Sequence, residues 1–329
     1  MLQLSPRSTI ALVGSSDGLP RDSDTVSRLC AVLESLGLHT VIFPSLYQTA
    51  AGKPQPAERR AADIQAAFAD PEVDALFDLT GGDAANAILP HLDFKEIARC
   101  SKPFFGYSDV SVLLNPLQDF GDVPVFYLQA RFLASCSAAK ERFARWIQQQ
   151  DDALFRFHYA FLQGSSLSGR VCGGNIRCTL KLTGTPWQPD PTGRVLFLES
   201  YSGSFARMET MLHQYRQMEM FSRCSGVLLG NFSELAEKQQ LPTLYRLVQD
   251  IIDDPAPTGR DHRIGASAGG TLSGIRGNPL RRIAAVAIPL PAKSPASRNS
   301  QQKKCPDIFP DGNALPYCKT DRRSDSPEM

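Results

Sequence analysis

Apolar and polar positions along this chain switch between two periods. Residues Thr9–Val13 form a short apolar run that ends in Gly14-Ser15-Ser16, the pattern of a central strand and the loop that follows it. Val26, Leu29, Leu33 and Leu36 then recur at spacings of three and four, which predicts an amphipathic helix, and Gly37 supplies its stop. The same reading predicts a strand over 40–43, a Pro-containing polar loop over 50–58, a helix over 58–68 and a strand over 73–79. Thr80-Gly81-Gly82-Asp83 leads into a helix over 84–89, and further strands are predicted at 104–107 and 123–126, then a helix at 138–149. Strands alternating with helices predict an α/β fold with a parallel sheet covered on both faces. Ligands of such sheets bind beyond the carboxyl ends of the strands.

The pattern is irregular from 150 to 169 and resumes as a second unit. Val171-Cys172-Gly173-Gly174-Asn175 comes next, with Gly173-Gly174-Asn175 reading as a turn, followed by an amphipathic stretch to Leu182 and then Gly184-Thr185-Pro186-Trp187. A strand at 195–198 ends in Glu199, a helix covers 205–218, a strand at 226–229 runs into Gly230-Asn231-Phe232, and a helix covers 244–252. Beyond Pro257 the segment is rich in Gly, Arg and Ser, with one further strand at 283–290. From Pro291 onward polar residues dominate, which predicts a disordered or weakly held tail. The expected division is a first domain over 1–135, a linker over 136–169, a second domain over 170–290 and the tail over 291–329.

Composition narrows the function classes. A formal net charge of +1 over 329 residues gives no nucleic-acid footprint and no electrostatic membrane anchor. No apolar run reaches the about 18 residues of a membrane span. The first residues lack the charged region and cleavage site of a signal peptide, so the expected location is the cytoplasm. Eight cysteines are scattered without a CxxC pair and five histidines are equally dispersed, so no metal site is expected.

Candidate chemistry centres on Lys102 to Asn115, KPFFGYSDVSVLLN: a buried strand, a sharp turn and a helix start. Ser108 at that junction has two readings. It is the helix N-cap, or its hydroxyl is a nucleophile beside unpaired helix amides that stabilise an oxyanion. Glu199, at the end of a strand, is likewise either a capping or ion-paired carboxylate or the acid of a triad.

Gly81-Gly82, Gly106-Tyr107-Ser108-Asp109, Gly173-Gly174-Asn175, Gly184-Thr185-Pro186-Trp187, Leu196-Phe197-Leu198-Glu199, Arg207-Met208 and the strand from Gly226 to Phe232 stand in that order. With these motifs, from Thr9 to Phe232, the chain resembles the LD-carboxypeptidases, a family of serine peptidases that includes the microcin C self-immunity peptidases. The resemblance implies a Rossmann-like N-terminal domain joined to a mostly β C-terminal domain, with the active site in the crevice between them. It implies Ser108 as nucleophile, the backbone amides of Gly82 and Asp109 as oxyanion hole, and Glu199 as the acid that orients a histidine base. It further implies a cytoplasmic homodimer, a murein-peptide or related small peptide substrate, and no metal or organic cofactor.

Two departures from the family pattern stand out. The family carries its histidine in a segment resembling Ile-Gly-His; here Ile264-Gly265 is followed by Ala266, and His262 lies four residues earlier. Either His262 serves as base from a shifted loop, or the base is lost and the chain is a binding protein, or the reading frame has slipped near this point. His213 falls in a predicted helix, His39 leads a strand on the far side of its Gly turn, and His91 and His158 fall in segments with no matching motif. After Val125 the family often has a Gly-Pro pair, whereas this chain reads Tyr127-Leu128-Gln129-Ala130-Arg131, so the resemblance leaves its substrate preference open. A nucleotide-binding reading rests only on Gly14-Ser15-Ser16, without the G-x-G-x-x-G or Walker A pattern.

Overall fold

A computed structural model describes residues 4–157 and 159–253, together with the backbone of two short strands at 264–266 and 284–285. The first unit alternates strands and helices in chain order: β1 (Thr9–Val13), α1 (Thr25–Ser35), β2 (His39–Ile42), α2 (Ala57–Ala69), β3 (Ala75–Asp78), α3 (Phe94–Ile97), β4 (Phe104–Gly106), α4 (Ser111–Phe120), β5 (Val125–Tyr127) and α5 (Ser137–Gln149). The helix expected over 84–89 is a 3-10 helix, Ala85–His91, with Pro90 inside it. The second unit holds β6 (Ala160–Gln163), β7 (Val171–Asn175), α6 (Ile176–Leu180), β8 (Val195–Ser200), α7 (Phe205–Gln217), α8 (Met220–Arg223), β9 (Gly226–Phe232), α9 (Ser233–Glu237), α10 (Leu241–Asp253) and β10 (Ile264–Ala266). A last strand, β11 (Ala284–Ala285), returns to the first sheet.

The first sheet runs β11-β5-β4-β3-β1-β2 and is parallel throughout. Its order reverses between β1 and β3, so the loops after these strands diverge and open a crevice at their carboxyl ends. The second sheet runs β6-β10-β9-β8-β7; its last four strands are parallel and β6 is antiparallel to β10. The architecture is the α/β fold expected, a Rossmann-like parallel sheet with a separate second sheet. The stretch expected as linker carries α5, whose Phe143 and Trp146 pack on Phe77, Phe105 and Phe126 of the first sheet, and β6 of the second.

Strand alternation divides the core. Ile10 and Leu12 face α1 and α5, whereas Ala11 and Val13 face α2 and α4. In β8, Leu196 and Leu198 join the α7 and α10 cluster, while Val195 and Phe197 face the layer that holds α4. Helix α4 is thus packed between the two units, and every residue from Ser111 to Gln118 is buried.

Burying that helix requires its polar groups to be paired, and they are paired with the open edge of β7. Asn115 Nδ2 donates to Gly173 O (2.9 Å), and Asn115 Oδ1 accepts from Gly173 N (2.9 Å). Ser111 Oγ accepts from Asn175 N (2.9 Å). A Cβ on Gly174 would lie 2.4 Å from Ser111 Oγ. The Gly173-Gly174-Asn175 segment, read from sequence as a turn, is therefore an edge strand. Both glycines adopt positive φ, +102° and +134°, and a Cβ would meet Phe197 O of β8 at Gly173 and Ser111 of α4 at Gly174, so conformation and close approach both require glycine here.

Candidate active site

Ser108 sits where β4 gives way to helix. Tyr107 is still extended, and Ser108 turns into the left-handed region at φ 56° before a 3-10 turn, Ser108–Val110, runs into α4. A non-glycine residue there stores about 1–3 kcal/mol of backbone strain. The surroundings hold it: Ser108 N donates to Tyr127 Oη (3.1 Å) and Ser108 O accepts from Ser111 Oγ (2.6 Å). Gly106 allows the sharp exit, since a Cβ there would lie 2.4 Å from a Val110 methyl. Among the described residues the Ser108 hydroxyl makes no hydrogen bond, and its side chain is half-buried at the crevice.

The Gly81-Gly82 turn lies beside it: a Cβ on Gly81 would be 4.0 Å from Ser108 Cβ. Gly82 has φ +126°, and Asp17 occupies the space a side chain would need. Asp17 Oδ1 accepts from Asp83 N and Ala84 N (both 3.1 Å), which turns the loop back on itself. Neither Gly82 N nor Asp109 N donates to any described residue. Gly14-Ser15-Ser16, by contrast, has its amides engaged, Ser15 N to buried Asp78 (2.8 Å) and Ser16 N to Thr80 Oγ1 (3.0 Å). It offers no free phosphate cradle.

Asp109 is fully buried and gathers three loops. Its carboxylate accepts from Ser16 Oγ (2.6 Å), Ala85 N (3.0 Å) and Lys181 Nζ (2.5 Å), the last from just beyond α6 of the second unit. Lys181 also meets Asp83 (3.3 Å), and Arg177 pairs with the same carboxylate, whose protons are held below the usual range chiefly by that guanidinium.

Glu199 enters from the second unit. A bulge between β8 and β9 opposes Glu199 to Gly230 and Asn231, and bulges re-aim a side chain in this way. A Cβ on Gly230 would lie 2.9 Å from Glu199 Cβ. The carboxylate is buried, with 2% of the residue exposed. Its Oε1 accepts from Tyr127 Oη (2.7 Å) and Asn175 Nδ2 (2.8 Å), and its Oε2 from Tyr107 Oη (3.2 Å). Burial pushes the Glu199 carboxyl above its ordinary value, and these three donors oppose that shift without cancelling it.

The structure thus brings Ser108, Asp109, Gly82 and Glu199 to one crevice. His262 lies outside the described residues. Ala266 ends β10 level with Leu229 of β9, which itself pairs with Leu198, the residue before Glu199. Tyr107, Tyr127, Asn175 and Lys181 had no assigned role in the sequence reading. Asn175 carried one usable signal: Asn at the junction of an apolar run and a helix is a cap, and its Oδ1 accepts from Cys178 N (3.2 Å) at the start of α6. That bond leaves its Nδ2 free to face Glu199. Among the described residues no cluster of His, Cys, Asp and Glu could hold a metal ion, and no helix is long and apolar enough to cross a membrane.

Comparison with known proteins identifies the family. Residues 10–127 match the family model of the LD-carboxypeptidase N-terminal domain, and residues 168–267 that of the LD-carboxypeptidase C-terminal domain. A putative carboxypeptidase of Treponema pallidum is 26% identical over 239 residues, covering 65% of this chain and 71% of that protein. The murein tetrapeptide carboxypeptidase of Pseudomonas aeruginosa is 26% identical over 299 residues, 83% of this chain and 94% of its own. The fold is similar to the solved structure of the microcin C7 self-immunity protein, with TM-score 0.68 at 19% identity over 82% of this chain and 90% of that one. The chain belongs to the LD-carboxypeptidase family.

Proposed function

We propose that this chain is a serine carboxypeptidase that hydrolyses the amide bond to a terminal D-alanine in murein peptides or a related unusual amide. The observation that carries the reading is Ser108: a strained, half-buried serine whose hydroxyl, with the amides of Gly82 and Asp109 beside it, is unengaged among the described residues, in one crevice with a buried carboxylate.

In this reading the Ser108 hydroxyl attacks the scissile carbonyl and its proton passes to the base. The N–H groups of Gly82 and Asp109 receive the charge that develops on the carbonyl oxygen. Collapse of the tetrahedral intermediate expels D-alanine, whose nitrogen takes the proton, and water then hydrolyses the Ser108 ester. Glu199 stabilises the protonated base, and the base is assigned to His262. The same reading makes the protein a cytoplasmic homodimer that takes small peptides.

A second reading has its own observation. Ala266, at the end of β10, has no group that accepts a proton, so a crevice without a base would bind the peptide and leave it intact. D-alanine release from a murein tetrapeptide, measured for the parent, Ser108→Ala and His262→Ala, separates the two. An active parent with both variants inactive supports the peptidase. A parent that binds the tetrapeptide, releases no D-alanine and resists a fluorophosphonate at Ser108 supports the binding protein. Undiminished turnover by Ser108→Ala sinks the serine mechanism.

A further inference from the structure

The hydroxyl of Tyr127 touches both halves of the site. It donates to Glu199 Oε1 (2.7 Å) and accepts from Ser108 N (3.1 Å). Tyr127 ends β5 of the first unit and Glu199 lies on β8 of the second, so one oxygen atom links the acid to the backbone of the candidate nucleophile across the two units.

The ring is held independently of that oxygen. It lies 4.7 Å from the Tyr107 ring and 5.2 Å, edge-on, from the Phe197 ring, centroid to centroid. A Cβ on Gly174 would lie 3.2 Å from Tyr127 Cε2, so this glycine leaves the notch in which the ring sits. The residue is 3% exposed. A phenol packed this tightly has little rotational freedom, and its oxygen is delivered to one place.

We propose that Tyr127 is the positioning residue of this site, fixing the Glu199 carboxylate and the left-handed backbone of Ser108 through a single hydroxyl. The proposal rests on the reading that Ser108 and Glu199 carry the reaction. Among the described residues Glu199 accepts from Tyr127, Tyr107 and Asn175, and of these three donor groups the Tyr127 hydroxyl is the one shown bonded to Ser108 N as well. Burial drives the Tyr127 hydroxyl well above the ordinary phenol value, and the neighbouring Glu199 carboxylate adds to this, so the group stays a donor through the neutral range.

Tyr127→Phe tests this, because it removes one oxygen and keeps the ring. With a murein tetrapeptide, kcat is expected to fall about ten- to a hundredfold with little change in KM, the size of one lost hydrogen bond to a charged group. The acid limb of the kcat profile is expected to move to higher pH, since Glu199 loses a donor that favours its ionised form. Tyr107→Phe removes the longer donor to Glu199 (3.2 Å) and leaves the Tyr127 hydroxyl on Ser108 N in place, so it moves the acid limb with a smaller loss of kcat. Parent values of kcat and acid limb in Tyr127→Phe would overturn the proposal.

A second readout needs no turnover. The Tm gap between parent and Tyr127→Phe should widen from pH 4 to pH 8, as Glu199 ionises with one donor fewer. A gap that stays constant with pH would overturn the proposal even in an inactive protein. If the parent releases no D-alanine while the gap widens, the peptidase reading fails and the placement of Glu199 by Tyr127 stands.

Discussion

Replacing Asn115 with Ala attacks the contact between the two units. The Asn115 amide satisfies both the N–H and the C=O of Gly173, each at 2.9 Å, on the open edge of β7, and the site is buried. Alanine would leave two buried backbone groups without partners. Each costs about 1–3 kcal/mol, so destabilisation of about 3 kcal/mol is expected. For a domain of this size that corresponds to a Tm lower by about 6–12 °C. Differential scanning fluorimetry and urea unfolding would measure it. Because α4 follows directly from the Ser108 turn and Ser111 also holds Asn175 N, turnover should fall along with stability. Asn115→Asp sharpens the test. A protonated acid can both donate to Gly173 O and accept from Gly173 N, whereas the ionised form cannot donate. Its folded-state pKa is therefore raised, and its stability is expected to be near parental at pH 4 and lost as pH rises towards 8. A loss below about 1 kcal/mol for Ala, or no pH dependence for Asp, would refute the claim that this amide pairs the units.

Three further outcomes are expected. Glu199 has a raised folded-state pKa, so its burial favours the folded state while it is protonated and disfavours it as pH rises through that value; Glu199→Gln should therefore gain Tm relative to the parent between pH 5 and 8, and a constant difference would show that Glu199 is not the titrating group. Ser108→Gly should be more stable than Ser108→Ala by about 1 kcal/mol, since only glycine relieves the left-handed strain; equal urea midpoints would argue against a strained backbone. Lys181→Met strands the buried Asp109 carboxylate and should cost about 3–5 kcal/mol, with much of the loss recovered in the Lys181→Met, Asp109→Asn double variant; thermal unfolding of the pair and both singles closes that cycle.

Local pattern was enough to locate the first sheet and the ends of its strands. The apolar run at Thr9–Val13 is read as the strand it forms, and the runs at 104–107 and, in the second unit, 195–198 put Ser108 and Glu199 at carboxyl ends. The motif order was enough for the family, because ordered motifs record the fold even where single residues have changed. Gly173-Gly174-Asn175 shows where local reading stops. Two glycines and an asparagine have the composition of a turn, and only pairing with β8 on one side and the approach of α4 on the other make them an edge strand.

The environment of Glu199 is decided the same way. Tyr107, Tyr127 and Asn175 come from β4's end, β5 and β7, separated from Glu199 by 92, 72 and 24 residues. Sequence determined that a serine and a carboxylate stand at strand ends, because periodicity and turn chemistry are properties of neighbouring residues. Which groups surround that carboxylate was decided by sheet register, a bulge at Gly230 and the docking of one unit on the other. These depend on packing between distant segments, and no local pattern encodes them.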